Sequence, residues 1–284
     1  MFAQLTVLGP GLLGASLAMA AKERGLAQRI HIWARGRETR RRCAEADWCD
    51  AVADAPGDAV EGSDLVVVCT PVATIVPLLR EIAPSLAAGA TVTDVGSTKE
   101  RICAGAPEAL GDNATFVGAH PMAGSEKTGM ENARADLFAG AACFVTPAGG
   151  ETEDAIRSVA DFWTALGAAV TRVDPAEHDR IVAHISHLPH VLAVALCDYL
   201  AARPPEWDAF AGAGLADTTR IASGDPGLWK QILEENAGEV TSAIEGLQSR
   251  LEACRAAIAA GDADILRKCL RRGKTYRDRI AQKR

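Results

Sequence analysis

His120 stands in Gly118-Ala119-His120-Pro121-Met122-Ala123-Gly124-Ser125-Glu126, a stretch braced by glycine and proline just after the apolar run Phe116-Val117. Histidine exchanges protons near neutral pH, so in a rigid strand-end loop it is a candidate general base. Asp94-Val95-Gly96-Ser97-Thr98-Lys99 follows the β-rich run Ala90-Thr91-Val92-Thr93 and offers a hydroxyl at Ser97. Later in the chain come Ser186-His187-Leu188-Pro189-His190 and Asp217-Thr218-Thr219-Arg220-Ile221-Ala222. An arginine such as Arg220 can hold a carboxylate as a bidentate pair. His187 and His190 are three positions apart and share a face on a continuous helix, although Pro189 between them allows a local distortion. The eight cysteines form no C-x-x-C pair, and Cys43 and Cys49 have no partner at zinc spacing. They read as free thiols in a reducing compartment, and no metal site is expected.

A second constellation lies at the start of the chain. Leu5-Thr6-Val7-Leu8-Gly9-Pro10-Gly11-Leu12-Leu13-Gly14 reads as strand, then G-x-G-x-x-G, then helix. Gly9 permits a tight turn, Gly11 admits a pyrophosphate to the backbone, and Gly14 lets the helix pack on the strand. The helix N-terminus, with Leu12 and Leu13, faces the phosphate charge. About twenty residues on, where an NAD site usually has a carboxylate, the chain offers Ala34, Arg35 and Arg37. Arginine there pairs with a 2′-phosphate, which favours NADP over NAD. Arg40, Arg41 and Arg42 read as a solvated helix face. Cys69-Thr70-Pro71, after the third strand, is placed to pass under the nicotinamide ribose, although Pro71 is also an ordinary helix starter.

The elements that must position these residues change type midway. Over residues 1–173 short β-rich runs alternate with amphipathic segments: Leu5-Thr6-Val7-Leu8, Ile30-His31-Ile32-Trp33, Leu65-Val66-Val67-Val68, Ala90-Thr91-Val92-Thr93, Phe116-Val117, Cys143-Phe144-Val145 and Val170-Thr171-Arg172-Val173. Such alternation means βαβ units in a doubly wound α/β sheet, a Rossmann-type dinucleotide-binding domain. Over residues 174–284 alanine, leucine and charged residues recur at helical spacing. Asp174-Pro175 and Asp225-Pro226 are helix starts, and Gly261-Asp262 separates two more helices. This all-helical domain is poor in large core residues, so a homodimer that completes its core against a second copy is expected; a monomer with a helical lid is the alternative.

With 284 residues, 48% hydrophobic and 24% charged, the composition is that of a soluble globular protein. A net charge of -7 without a long basic stripe argues against nucleic-acid binding. No positive charge precedes the apolar N-terminus, which Gly9-Pro10-Gly11 interrupts, so it is not a signal peptide. The apolar stretch over residues 188–200 contains Pro189, His190 and Asp198 and is a poor membrane span. A cytoplasmic protein is expected, with neither membrane nor nucleic-acid partner.

The chain resembles the prephenate/arogenate dehydrogenases of tyrosine biosynthesis. The matches are G-x-G-x-x-G at residues 9–14, D-x-G-S-x-K at 94–99, G-x-H-P-M-A-G-S-E at 118–126, S-H-L-P-H at 186–190 and T-R-I-A-x-x-D-P-x-x-W at 219–229. They follow the family order and span nearly the whole chain.

The resemblance implies oxidative decarboxylation of a cyclohexadienol: hydride leaves the ring carbon bearing the hydroxyl, the ring carboxylate leaves as CO2, and the product is aromatic. It implies that His120 accepts the hydroxyl proton and that Ser97 bonds the same hydroxyl or orients the imidazole. Arg220 would hold one substrate carboxylate and His190 the opposite end. Glu126 would gate the mouth or tune its neighbours, and His187 is either a site residue or a hydrogen-bonded helix histidine. Trp229 reads as core packing, and His31, His178 and His184 as structural or solvent-facing. A β-hydroxyacid-type dehydrogenase would need a catalytic lysine where this chain has none between Lys127 and Lys230. A non-catalytic NADP sensor would not need Ser97, His120, His190 and Arg220 together. No chorismate-mutase extension or regulatory domain is expected, so the chain reads as monofunctional.

Overall fold

The computed structural model describes residues 1–124 and 127–282. Strands β1 (Phe2–Leu8), β2 (Ala27–Trp33), β3 (Ala51–Ala53), β4 (Leu65–Val68), β5 (Ala90–Asp94) and β6 (Ala114–Phe116) form one sheet in the order β3-β2-β1-β4-β5-β6. Every pairing in it is parallel. The order reverses between β1 and β4, and such a switch point leaves a crevice at the strands' carboxyl ends. β4 is fully buried, as its continuous apolar run requires of a central parallel strand.

Helices α1 (Leu12–Glu23), α2 (Arg37–Ala44), α3 (Pro56–Val60), α4 (Val72–Ile82) and α5 (Glu100–Leu110) connect these strands. Separate apolar clusters cover the sheet. One joins Leu5 and Val7 to Leu17 and Ala21 of α1. The other joins Leu8, Val66 and Val68 to Ile75 and Leu79 of α4 and Ile102 of α5.

A second sheet, which the sequence does not announce as separate, holds β7 (Gly118–Pro121), β8 (Ala142–Thr146) and β9 (Ala169–Arg172). β7 runs antiparallel to β8, and β9 parallel to it. α6 (Glu153–Ala165) joins β8 to β9, and its Phe162 and Trp163 enter the first apolar cluster. The sequence reading puts His120 in a loop; the structure makes it a strand residue opposite Phe144. Gly118 and Pro121 lower the local β-propensity, but β7 is an edge strand, where proline is tolerated, and pairing with β8 prevails.

After β9 the described residues are helical wherever they are regular: α7 (Pro175–Val182), α8 (Leu188–Ala201), α9 (Ala213–Thr219), α10 (Pro226–Glu235), α11 (Ala237–Ala259) and α12 (Ala263–Ala281), with short 3₁₀ turns between. The starts read from sequence carry side-chain caps. Asp174 accepts from the Ala176 N–H at 2.9 Å, and Asp225 accepts from the Leu228 N–H at 2.7 Å. Asp262 caps α12 by accepting from the Ile265 N–H at 2.9 Å. Between α7 and α8 the helix widens into a π-turn over Ala183–His187 without breaking, so it runs from Pro175 to Ala201. The chain divides into two compact units, Met1–Asn236 and the α11–α12 hairpin that follows. All eight cysteines are free thiols.

Candidate active site

The turn after β1 has the shape of a dinucleotide cradle. Gly9 takes φ +97°, and a Cβ there would lie 2.9 Å from the Cys69 carbonyl oxygen. A Cβ at Gly14 would lie 2.3 Å from the Gly9 carbonyl oxygen, whereas Gly11 has open space around it. α1 begins without a side-chain cap, so its first N–H groups are left for an anion. The Cys69-Thr70-Pro71 loop lies against this turn, and the buried Thr70 hydroxyl has no hydrogen-bond partner among the described residues. These features fit a nicotinamide dinucleotide.

At the end of β2, Ala34 is buried while Arg35 and Arg37 are exposed. Arg40 departs from the solvated-face reading. Its guanidinium donates to the carbonyls of Ala34 at 2.7 Å and Arg35 at 3.1 Å, tying the β2–α2 turn down. Arg41 does lie on the surface, paired with Glu38 and Glu45.

His120 is held through the peptide before it. Asp94, at the end of β5, accepts the Ala119 N–H at 3.0 Å. Lys99 donates to the Ala119 carbonyl at 3.0 Å and to the Asp94 carboxylate. Both charged side chains are 0% exposed. The D-x-G-S-x-K segment thus clamps β7 from the neighbouring sheet, and Ser97 sits half-buried within the same loop. A buried pair of this kind is tolerated because each charge is compensated and hydrogen-bonded.

The helical side supplies further histidines. His178 on α7 is fully buried, and its Nε2 lies 2.8 Å from His120 Nδ1. Its Nδ1 lies 2.7 Å from Asp179 Oδ1. Asp179 also accepts the N–H groups of Lys99 at 2.7 Å and Glu100 at 3.0 Å, which joins α7 to the start of α5. Asn236 donates to the Asp179 carbonyl at 2.8 Å and meets His187 Nδ1 at 3.2 Å. The buried ring atoms His187 Nε2 and His190 Nδ1 have no partner among the described residues.

His190 stacks on Trp229 of α10 and hydrogen-bonds to the backbone of Ile221. Arg220, the preceding residue, opens a 3₁₀ turn, Arg220–Ser223, that packs against α8; its side chain reaches solvent. Glu126 lies outside the described residues. His31 is half-buried and His184 exposed.

Burial moves these imidazoles away from the near-neutral titration expected of a loop histidine. His120 is held well below the usual histidine range, first by desolvation, then by His178, Lys99 and His187. Desolvation lowers His178 against the pull of Asp179, and lowers His190. His187 is pushed down to about 4 by desolvation. Around pH 7 the His120 ring is neutral, the form in which imidazole takes up a proton.

The structure therefore brings His120, His187 and the clamp from Asp94 to Lys99 together, and His190 with Trp229 and the Arg220 turn. It adds three residues that the sequence did not single out for the site: His178, Asp179 and Asn236. The adjacency of His178 and Asp179 at a helix start was the available signal, but their partners lie far away along the chain.

A family model described as "Prephenate dehydrogenase, nucleotide-binding domain" matches residues 17–172, and one described as "Prephenate dehydrogenase, dimerization domain" matches residues 174–272. A cyclohexadienyl dehydrogenase of Zymomonas mobilis is 31% identical over 270 residues, covering 93% of this chain and 92% of the relative. A prephenate dehydrogenase of Bacillus subtilis is 31% identical over 278 residues, covering 96% of this chain and 75% of the relative. Among solved structures, prephenate dehydrogenase from Aquifex aeolicus in complex with hydroxyphenyl propionate and NAD+ superposes with a TM-score of 0.92 at 30% identity, covering 99% of each chain. Arogenate dehydrogenase from Synechocystis gives a TM-score of 0.84 at 27% identity, covering 98% of this chain and 99% of that one.

Proposed function

The chain belongs to the prephenate dehydrogenase family, and from that premise we propose that it oxidatively decarboxylates prephenate, arogenate or both, giving 4-hydroxyphenylpyruvate or tyrosine. The single observation that carries this reading is His120: buried and fixed by the Asp94–Lys99 clamp on its neighbour Ala119. Gly9, Gly11, Leu12, Leu13 and Gly14, with Cys69, Thr70 and Pro71 against them, would hold a nicotinamide dinucleotide, which would supply the hydride acceptor. The chain's own residues do the rest. His120 takes the hydroxyl proton as the carbon–hydrogen bond breaks, and Ser97 bonds the same oxygen. Arg220 holds one carboxylate, and His190 and His187 hold the opposite end, with Glu126 at the mouth. Loss of CO2 aromatises the ring and draws the reaction forward.

Within that reading we assign NADP as the preferred cofactor, on Arg35 and Arg37 at the end of β2 and on Arg40, which steadies their turn. The helical segment from residue 174 serves as substrate-binding and dimerisation domain. The exposed apolar side chains Ile185, Leu192 and Tyr199 on the long helix support a homodimer. The 27-residue helix Pro175–Ala201 is long and apolar enough to cross a membrane, yet it carries the buried His178, Asp179, His187 and His190. That load fits a core helix of a cytoplasmic enzyme. The deciding experiment measures cofactor reduction and CO2 release with prephenate and with arogenate, each against NAD and NADP. If neither substrate reduces either cofactor, the reading fails.

A further inference from the structure

His178 belongs to no motif that points to chemistry, yet it is fully buried between His120 and Asp179. The hydrogen bonds fix where the protons lie. Asp179 Oδ1 is a carboxylate oxygen and only accepts, so His178 Nδ1 donates to it across 2.7 Å. A neutral His178 then has no proton on Nε2, which must accept. Across 2.8 Å the donor is His120 Nδ1. With its proton on Nδ1, His120 presents a bare Nε2.

We propose that His178 and Asp179 are positioning residues that lock His120 in the Nδ1–H tautomer and so keep its Nε2 lone pair ready for the substrate hydroxyl. The proposal rests on the reading of His120 as proton acceptor and specifies how it is kept in that role. The step balances. The hydroxyl O–H bond breaks and a proton bonds to Nε2, while the electrons of the O–H bond form the carbonyl as hydride departs from carbon to the nicotinamide. His120 becomes an imidazolium, and its charge is met through Nδ1–H and His178 by the Asp179 carboxylate.

The surroundings support the same proton placement. His120 faces His178 from α7, His187 from the π-turn and Lys99 from the loop after β5, with Asp94 compensating Lys99. Phe144, opposite His120 on β8, packs edge-on against the His178 ring at 5.2 Å between centroids. The carboxylate is itself anchored by the Lys99 and Glu100 N–H groups, so it cannot turn away from His178. A charged His178 would reverse the His120 bond, but burial and the nearby Lys99 disfavour that form.

The test reads the tautomer directly. Long-range ¹⁵N–¹H correlation spectra of the intact, histidine-labelled protein at pH 7.5, with His120 assigned by loss of its signals in His120→Asn, should show Nδ1 protonated and Nε2 bare. Finding the proton on Nε2 overturns the proposal, whether or not the variants below fold. His178→Leu should mix the two tautomers and lower kcat about 10- to 100-fold, with KM and cofactor affinity little changed. His178→Gln, whose amide oxygen can accept from Nδ1–H, should recover part of that loss. A folded His178→Leu with an unchanged tautomer and unchanged kcat also overturns it. The spectra need no substrate, so they are independent of whether prephenate or arogenate turns over.

Discussion

The imidazole of His190 lies flat on the indole of Trp229, with ring centroids 3.5 Å apart and planes 7° from parallel. The two residues come from α8 and α10, and the contact sets the direction of the His190 ring. If His190 binds substrate as proposed, Trp229 acts on the site through it: Trp229→Leu should then raise the substrate KM several-fold, with kcat changed less, because it frees the His190 ring and leaves His120 in place. Steady-state kinetics on the folded variant checks this; an unchanged KM would make Trp229 a packing residue alone.

His120→Asn removes the proposed proton acceptor but keeps a polar side chain on β7. Turnover should fall by about two orders of magnitude or more, with cofactor affinity retained. Titration of cofactor fluorescence beside turnover separates the two effects, and near-normal turnover would remove His120 from the chemistry.

On the proposed role of Arg220, Arg220→Gln should chiefly raise KM, because a neutral amide cannot pair bidentately with a carboxylate. If KM holds, the carboxylate site lies elsewhere. At the other pocket, Arg35→Ala should weaken NADP much more than NAD, and equal losses would refute the 2′-phosphate assignment.

Low pH should destabilise the fold in a definite window. The buried histidines titrate at about 6.5 in the unfolded chain and lower in the native one, so below pH 6.5 the unfolded chain binds protons that the native state refuses. Stability is complete above that pH and falls as pH drops from about 6.5 towards about 4, the folded value for His187. His187 alone contributes a loss of ~3 kcal/mol across the window. Urea midpoints at pH 7 and pH 5 measure the sum, and equal midpoints would contradict the burial of these rings. Activity limited by His120 should not decline until below pH 6.5, since its depressed pKa keeps it a base in that range.

Lys99→Met should be among the most damaging single changes, because it strands the Asp94 carboxylate in a site with no exposure. A loss of about 3 to 5 kcal/mol is expected, read from denaturant unfolding.

Much of this was legible in the chain. β4 is a fully buried apolar run, and β1, β2 and β5 are β-rich runs beside it in the sheet; Asp174 and Asp225 announce their helices by capping chemistry. β3 escaped because Ala51–Ala53 is short and only partly buried. β7 escaped because glycine and proline mask a strand whose existence depends on β8. His178 and Asp179 escaped for a deeper reason: nothing local distinguishes a histidine that meets a base from one that meets solvent. Their role is written in contacts reaching back to Lys99 and His120, which only the closed fold reveals.

The π-turn over Ala183–His187 has its own consequence. One residue added to or removed from a helix rotates everything beyond it by about 100°. The wide turn is therefore a phase adjustment within one continuous helix, between the face that gives His178 to β7 and the face that lays His190 on Trp229. Deleting one residue there would leave a good helix by every measure of propensity, yet it would aim His178 and His190 at incompatible places. An insertion outside residues 178–190 cannot compensate, so the length of this segment is itself a constraint on the chain.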